Sequence, residues 1–203
     1  LLTLVISLYT SRIVLNTLGI EDFGIYNVVG GIIIMVGFLN NSMASATQRF
    51  LSFELGKKDF PQLARVFSMS VNIHFILGLI ILVLAETIGL WALNTQLNIP
   101  SDRISAANWV YQFSVMTFMV SMITVPYHAV IIAYEKMNIY AWVSVLEVSL
   151  KLLIVFMLYW FEFDKLKLYA VLGFAVTLII SLTYAIYTSI NFPERKYRLF
   201  WNK

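Results

Sequence analysis

The sequence contains no cysteine and few charged residues. Without cysteine, the chain forms no disulfide and offers neither a thiolate nucleophile nor a Cys-ligated zinc site. Only two histidines are present, which excludes a His-rich metal site. Charged residues make up 12% of the 203, against about 25% in a typical soluble domain. The net charge of +3 is small and dispersed, so we expect no nucleic-acid binding, which needs a clustered basic face.

Motifs that carry catalysis are also missing. The sequence has no G-x-S-x-G, no H-E-x-x-H, no P-loop and no pair of carboxylates placed across a cleft. Gly30 and Gly31 lie inside a helical pattern, which favours close packing over a phosphate-binding loop. We therefore expect neither an enzyme nor a cofactor or metal requirement.

Long apolar segments dominate the chain, which is 60% hydrophobic. A membrane-spanning helix needs about 20 mainly apolar residues. The sequence predicts an all-α polytopic membrane bundle, one domain over 1–203. No cleavable signal peptide is visible. Because Leu1 already lies in an apolar run, we expect the chain to be a fragment cut within its first membrane helix. The six predicted helices are Leu1–Leu18, Ile25–Ser45, Phe67–Trp91, Ile104–Ala133, Ile139–Phe161 and Leu168–Asn191.

Basic residues are unevenly divided between the two sides of this arrangement. Three of them, Arg103, Lys165 and Lys167, fall on one side. Since cytoplasmic loops carry the excess of Lys and Arg, the richer side should be cytoplasmic and both ends of the chain should face the cytoplasm. Four tryptophans near helix ends favour an interfacial belt: Trp91, Trp109, Trp142 and Trp160. The nine residues of the richer side are Arg49, Lys57, Lys58, Arg65, Lys136, Arg195, Lys196, Arg198 and Lys203.

Polar and small residues recur at helical spacing on each predicted helix. A single stripe of this kind is explained by ordinary helix packing, but six together favour a hydrated cavity. Pro126 should kink its helix. The stripes are Tyr9, Arg12, Asn16; Asn27, Gly30, Gly37, Asn41, Gln48; Asn72, Glu86; Ser114, Thr117, Ser121, Thr124, His128; Ser144, Glu147, Lys151; and Thr177, Ser181, Tyr184, Thr188.

Charges within the apolar segments are the sharper signal. Arg or Lys at a helix centre costs about 2.5–3.5 kcal/mol on insertion scales. Glu147 and Lys151 are spaced i, i+4 and either neutralise each other or serve a function. Arg12 has no carboxylate within a turn, so we hypothesise that Arg12 and Lys151 create a cationic cavity for an anionic substrate. His128 is better explained by packing than by proton relay. The candidate substrate-binding residues are Arg12, Asn16, Asn41, Arg49, Glu147 and Lys151.

Two stretches carry a resemblance to a known family. They are "RIVLNTLGIEDFGIYNVVGG" and "NNSMASATQRFLSFELGKKDFPQLARVFSMS", within the first third of the chain. The chain resembles Wzx-type polysaccharide flippases of the multidrug/oligosaccharidyl-lipid/polysaccharide exporter superfamily. The matching features are Arg12 in the first helix, the Leu18-Gly19 helix end, the Asp22–Tyr26 entry, the Gln48-Arg49 exit and Glu54–Asp59.

The resemblance implies a fold of about twelve or more helices in two lobes, of which this chain is the N-terminal one and lacks the C-terminal lobe. It implies alternating access in the bacterial cytoplasmic (inner) membrane, with the lipid bilayer and an undecaprenyl-pyrophosphate-linked oligosaccharide as partners. The role would be polysaccharide or lipopolysaccharide biosynthesis and export. Three alternatives remain open. A multidrug/cation antiporter would need carboxylates in the middle of its helices, and a membrane glycosyltransferase would need a large extramembrane loop. The third alternative is an assembly protein without transport activity.

Overall fold

The computed structural model describes residues 2–161 and 163–192, and those residues form helices and short links without a strand. The long helices pack side by side as a bundle. The helices are α1 Leu2–Gly56, α2 Phe60–Leu84, α3 Leu90–Thr95, α4 Ile104–Ala133, α5 Met137–Trp160 and α6 Lys165–Asn191. A π-helical turn, Ala85–Gly89, joins α2 to α3 without interrupting the helical path.

Four helical stretches are long and apolar enough to cross a membrane. They outline a membrane-embedded protein, because their exposed side chains include large hydrophobic groups such as Ile80, Phe156 and Leu182. Six spans were predicted, and among the described residues four satisfy the length and composition that a span requires. These four are Phe60–Thr95, Ile104–Ala133, Met137–Trp160 and Lys165–Asn191.

The first two predicted helices form one helical stretch with a sharp change of direction at Gly19. Gly19 has φ +83° and ψ 168°, a conformation that glycine adopts without steric cost. Helix resumes at Ile20 and continues to Gly56, so the predicted limits of 25 and 45 were wrong at both ends. The sequence predicts Glu21 and Asp22 in a link, but they occupy the first turn after the break, where the helix dipole favours carboxylates.

Side-chain caps explain why two later helices begin earlier than predicted. Asp59 accepts a hydrogen bond from the backbone N–H of Gln62 at 3.0 Å, which starts α2 at Phe60 rather than Phe67. Asp164 accepts from the N–H of Leu166 at 3.1 Å and starts α6 at Lys165 rather than 168. The limits of α4 agree with the prediction, and α4 continues as a helix through the buried Pro126.

Helix α4 lies at the centre of the bundle, between α1, α2 and α6. Phe113 meets Phe174, and Thr124 meets Ser181, so α4 and α6 run in the same direction. One buried cluster joins α1, α2, α4 and the start of α6 around Tyr111. A second joins the other ends of the same helices with the end of α6, and includes Leu51, Phe67, Ile131, Tyr184 and Phe192. The part of α1 after Gly19 runs parallel to α4 and α6, whereas α2 and α5 run against them.

This alternation places the described basic residues that flank the helix ends at two opposite ends of the bundle. The end that we call the Arg103 end holds Arg103, Lys165 and Lys167. The other, which we call the Lys57 end, holds Arg49, Lys57, Lys58, Arg65 and Lys136. Arg195, Lys196, Arg198, Lys203 and Trp201 lie outside the described residues.

Candidate functional site

Two adjoining compartments lie between α1, α4, α5 and α6. The larger has a volume of ≈ 720 Å³ and the smaller ≈ 320 Å³. They are parts of one cavity, because five residues line both of them. The shared residues are Asn40, Asn41, Ser121, Val176 and Thr177.

The smaller compartment is lined mainly by amides, hydroxyls and one carboxylate. Thr124 Oγ1 donates to Val120 O at 2.7 Å and lies 2.8 Å from Ser181 Oγ, which links α4 to α6. Asn40 Oδ1 is buried and has no hydrogen-bond partner among the described residues. The polar lining residues are Asn40, Asn41, Gln48, Ser121, Thr124, His128, Glu147, Thr177, Ser181 and Tyr184.

His128 is held in the wall of this compartment by aromatic packing. Its ring lies 4.5 Å from that of Tyr184 in an edge-to-face arrangement and 5.0 Å from that of Tyr140. Edge-to-face contacts fix the orientation of a ring as well as its position. This geometry agrees with the interpretation of His128 as a packing residue, although its ring also borders the cavity.

One ion pair lies at the boundary between the compartments. Lys151 Nζ donates to Glu147 Oε1 at 2.6 Å, one helical turn apart on α5. Glu147 lines the smaller compartment and Lys151 the larger. Among the described residues, no other Asp, Glu, Lys or Arg lines either compartment. The cavity therefore offers one cationic and one anionic group, which neutralise each other when nothing else is bound.

The polar stripes of α1, α4, α5 and α6 meet in this cavity. The α4 stripe contributes all five of its members, from Ser114 to His128. The structure thus brings together residues that the sequence placed on separate helices. Local periodicity does not specify which neighbours a stripe meets, so this convergence required the packed bundle.

The six candidate substrate-binding residues divide into two groups. Asn41, Glu147 and Lys151 line the cavity. Arg12, Asn16 and Arg49 are exposed and lie outside the lining of both compartments. Thr10, just before Arg12 on α1, does line the larger compartment. The predicted cationic cavity therefore contains Lys151 without Arg12.

An ionic cluster at the Arg103 end was missed by the sequence reasoning. Arg103 Nε donates to Asp22 Oδ1 at 2.8 Å, its Nη2 pairs with Asp22 Oδ2, and its Nη1 lies 3.3 Å from Asp164 Oδ2. The hydrogen bond that Arg103 donates to the Asp22 carboxylate raises the pKa of the Arg103 guanidinium. The sequence predicts Asp22 in the link between the first two helices and Arg103 among the basic residues of the poorer side. The 81 positions that separate them leave no local signal of pairing.

The comparisons with known proteins assign no family to this chain, so a functional assignment depends on its own residues. No family model, no curated protein and no solved structure matches the chain. Within the described part of the chain, no group of three His, Asp or Glu side chains could hold a metal ion. The features that bear on function are therefore the cavity, its ion pair and the apolar surface around them.

Proposed function

We propose that this chain is one lobe of a flippase for lipid-linked oligosaccharides. The substrate would be an undecaprenyl-pyrophosphate-linked oligosaccharide, carried across the bacterial cytoplasmic membrane by alternating access for polysaccharide export. The observation that carries the proposal is Lys151, a cation that lines the larger compartment of a cavity inside an apolar bundle. The resemblance of the Arg12–Gly31 and Asn40–Ser70 stretches supplies the substrate class.

A charged group at membrane depth is costly, and it commonly faces a water-filled cavity or a substrate pathway. Lys151 remains 54% exposed although it is paired with Glu147. An exposed ammonium group in such a cavity can bind a phosphate group, since it offers three donors and a full charge. A pyrophosphate headgroup carries the complementary charge.

Alternating access also requires a second wall for the cavity. The flippase resemblance implies a second six-helix lobe that would face this one, with the substrate site between the lobes. We place the Lys57 end in the cytoplasm, because it holds five of the described loop-side basic residues against three at the Arg103 end. The lipid-linked substrate would then enter near the Lys57 end and leave near the Arg103 end.

The proposal is tested in cells that depend on this protein for surface glycan. Lys151→Gln removes the cavity cation, and we expect undecaprenyl-linked glycan to accumulate on the cytoplasmic leaflet while surface glycan falls. Lys165→Gln is the matched control, because Lys165 is exposed at the Arg103 end and lies outside the cavity lining. Normal surface glycan in a strain that lacks the protein altogether contradicts the flippase function.

A multidrug or cation antiporter is the second candidate, and Glu147 is the observation that favours it. This carboxylate lines the smaller compartment together with the rings of His128 and Tyr184, and carboxylates with aromatic faces bind organic cations. In that case Glu147→Gln would abolish efflux of a lipophilic cation such as ethidium, whereas glycan export would be unchanged. An assembly protein without transport would show neither effect.

A further inference from the structure

We propose that the half of the larger compartment nearest the Arg103 end is a saccharide subsite, in which aromatic rings stack on the sugar rings of a ligand whose phosphate group is held by Lys151. This inference rests on the proposed function and specifies how its substrate is oriented. The subsite consists of Tyr26, Phe113, Tyr169 and Phe174 with the amide of Asn27.

The aromatic residues occur as two contacting pairs in the cavity wall. Tyr26 and Tyr169 have ring centroids 4.8 Å apart with an interplanar angle of 64°, and Phe113 and Phe174 have centroids 5.7 Å apart. Each pair joins α6 to another helix, so the rings are positioned before any ligand arrives. Rings held in this way lose little side-chain entropy when they bind.

Polar groups lie beside these rings, as recognition of a sugar requires. A pyranose has apolar C–H faces and hydroxyl groups around its edge, so it needs both flat rings and hydrogen-bonding groups. Asn27 Nδ2 donates to Phe23 O at 2.7 Å, which leaves its amide oxygen as an acceptor. Thr117 donates to Phe113 O at 2.7 Å, and its oxygen can still accept a hydrogen bond.

Three glycines widen the compartment at positions where packing does not require glycine. A Cβ added at Gly30, Gly37 or Gly173 would meet no atom of the described residues within 4 Å. Glycine inside a helix is unfavourable compared with alanine, and no described neighbour gives a steric reason for it at these three positions. All three line the larger compartment, so their missing side chains leave room for a ligand.

The cation and the aromatic pairs are separated along the bundle axis. Leu150 and Ile180 lie in the same apolar cluster, and α5 runs against α6, which puts Lys151 near the level of Ile180. Tyr169 precedes Ile180 by eleven residues, a distance of about 16 Å at the rise of an α-helix. A phosphate at Lys151 and one attached sugar cannot reach both groups, so the subsite favours a chain of several sugars.

The arrangement also gives the substrate a direction. The phosphate would lie at mid-cavity, and the sugars would extend towards the Arg103 end. In the free cavity the Lys151 ammonium is paired with Glu147, so a bound phosphate must replace this carboxylate as the partner of Lys151. The stacking groups and the cation are thus separate contributors to binding and can be tested separately.

The test measures binding by isothermal titration calorimetry to the full protein in phosphatidylethanolamine/phosphatidylglycerol nanodiscs. The probes are inorganic pyrophosphate, glucose 1-phosphate and maltotriose 1-phosphate. We expect maltotriose 1-phosphate to bind about tenfold more tightly than glucose 1-phosphate, because additional rings reach the aromatic pairs. Tyr169→Leu should reduce this ratio to about one and leave pyrophosphate affinity unchanged, whereas Tyr169→Phe should preserve it.

Two controls separate this inference from the proposed function. Tyr159→Leu makes the same change on the exposed surface of α5, where Tyr159 is 83% exposed, and should leave the ratio intact. Phe174→Leu repeats the test if Tyr169→Leu does not fold. Equal affinity for the two sugar phosphates in the parent, or an unchanged ratio in the leucine variants, overturns the subsite. If the parent protein does not bind pyrophosphate at all, the result contradicts the proposed flippase function.

Discussion

Arg103 pairs with Asp22 across 81 positions of the sequence, and both carboxylate oxygens of Asp22 take part. The same guanidinium reaches Asp164, which also caps the first turn of α6. One side chain therefore joins the break in α1, the link before α4 and the start of α6. These links close one end of the cavity-forming helices, so the pair should fix their relative position.

The first prediction concerns this cluster. Asp22→Asn should lower the free energy of unfolding by roughly 1–3 kcal/mol, because Asp22 is largely buried and its loss leaves the guanidinium underpaired. Thermal unfolding in detergent measures the change. Asp102→Asn removes an exposed carboxylate next to Arg103 and should have a much smaller effect. Equal melting temperatures for the two variants would contradict a structural role for the cluster.

The second prediction uses the contact between the π-helical turn and α4. The Tyr111 hydroxyl donates to Ala85 O at 2.7 Å, and a Cβ at Gly89 would overlap that hydroxyl. Tyr111→Phe should cost about 1 kcal/mol through the lost hydrogen bond. Gly89→Ala should cost about 1–3 kcal/mol through overpacking.

The double variant shows whether the effects of the two substitutions are coupled through the contact between Tyr111 and Gly89 or are independent. Removing the hydroxyl makes room for the new methyl group, so Gly89→Ala with Tyr111→Phe should be less unstable than the sum of the single variants. Chemical denaturation of all four proteins gives the coupling energy. Strict additivity would show that the hydroxyl does not occupy the space beside Gly89.

How far the sequence determines this arrangement differs from residue to residue. The Glu147–Lys151 pair and the α4 stripe depend on spacing along one helix, so both could be read from sequence. The cap at Asp59 could also be predicted from sequence, since an acidic residue before Phe60-Pro61 is a typical helix start. The start of this helix was placed at Phe67 instead, because the apolar run begins there. The direction in which Arg12 points depends on neighbouring helices, and helix periodicity carries no information about them.

The third prediction concerns competition for Lys151. Glu147 holds the ammonium at 2.6 Å, and an anion must displace it. Under the proposed function, Glu147→Gln should strengthen pyrophosphate binding about threefold to tenfold, because the amide competes less strongly than a carboxylate. Calorimetry at fixed ionic strength measures the change. Glu86→Gln is the control, because Glu86 is exposed and bonds to Gln112 away from the cavity.

An opposite result would be equally informative. If Glu147→Gln weakened pyrophosphate binding, the carboxylate would be orienting Lys151 for the anion instead of competing with it. Unchanged affinity would place the anion elsewhere and remove Lys151 from the proposed site. Neither outcome could be attributed to unfolding as long as the variant matched the parent in thermal stability.

The last prediction concerns water in the cavity and exploits the absence of native cysteine. A single cysteine introduced into this chain is the only thiol among its 203 residues, so its labelling reports one position in this lobe. Ser121→Cys and Thr177→Cys lie in the wall shared by the two compartments and should react with a water-soluble maleimide. Ile179→Cys is the comparison, because Ile179 is 44% exposed but faces the apolar exterior of α6. This cysteine should react at least about tenfold more slowly, because thiolates form poorly in lipid.

The comparison separates a hydrated cavity from ordinary packing. A cavity closed to water would protect Ser121→Cys and Thr177→Cys as strongly as Ile179→Cys, and the polar stripes would then serve only to join helices. Labelling in the presence of pyrophosphate adds a second readout. Protection of Thr177→Cys that disappears in the Lys151→Gln background would connect the hydrated space with the cation at its boundary.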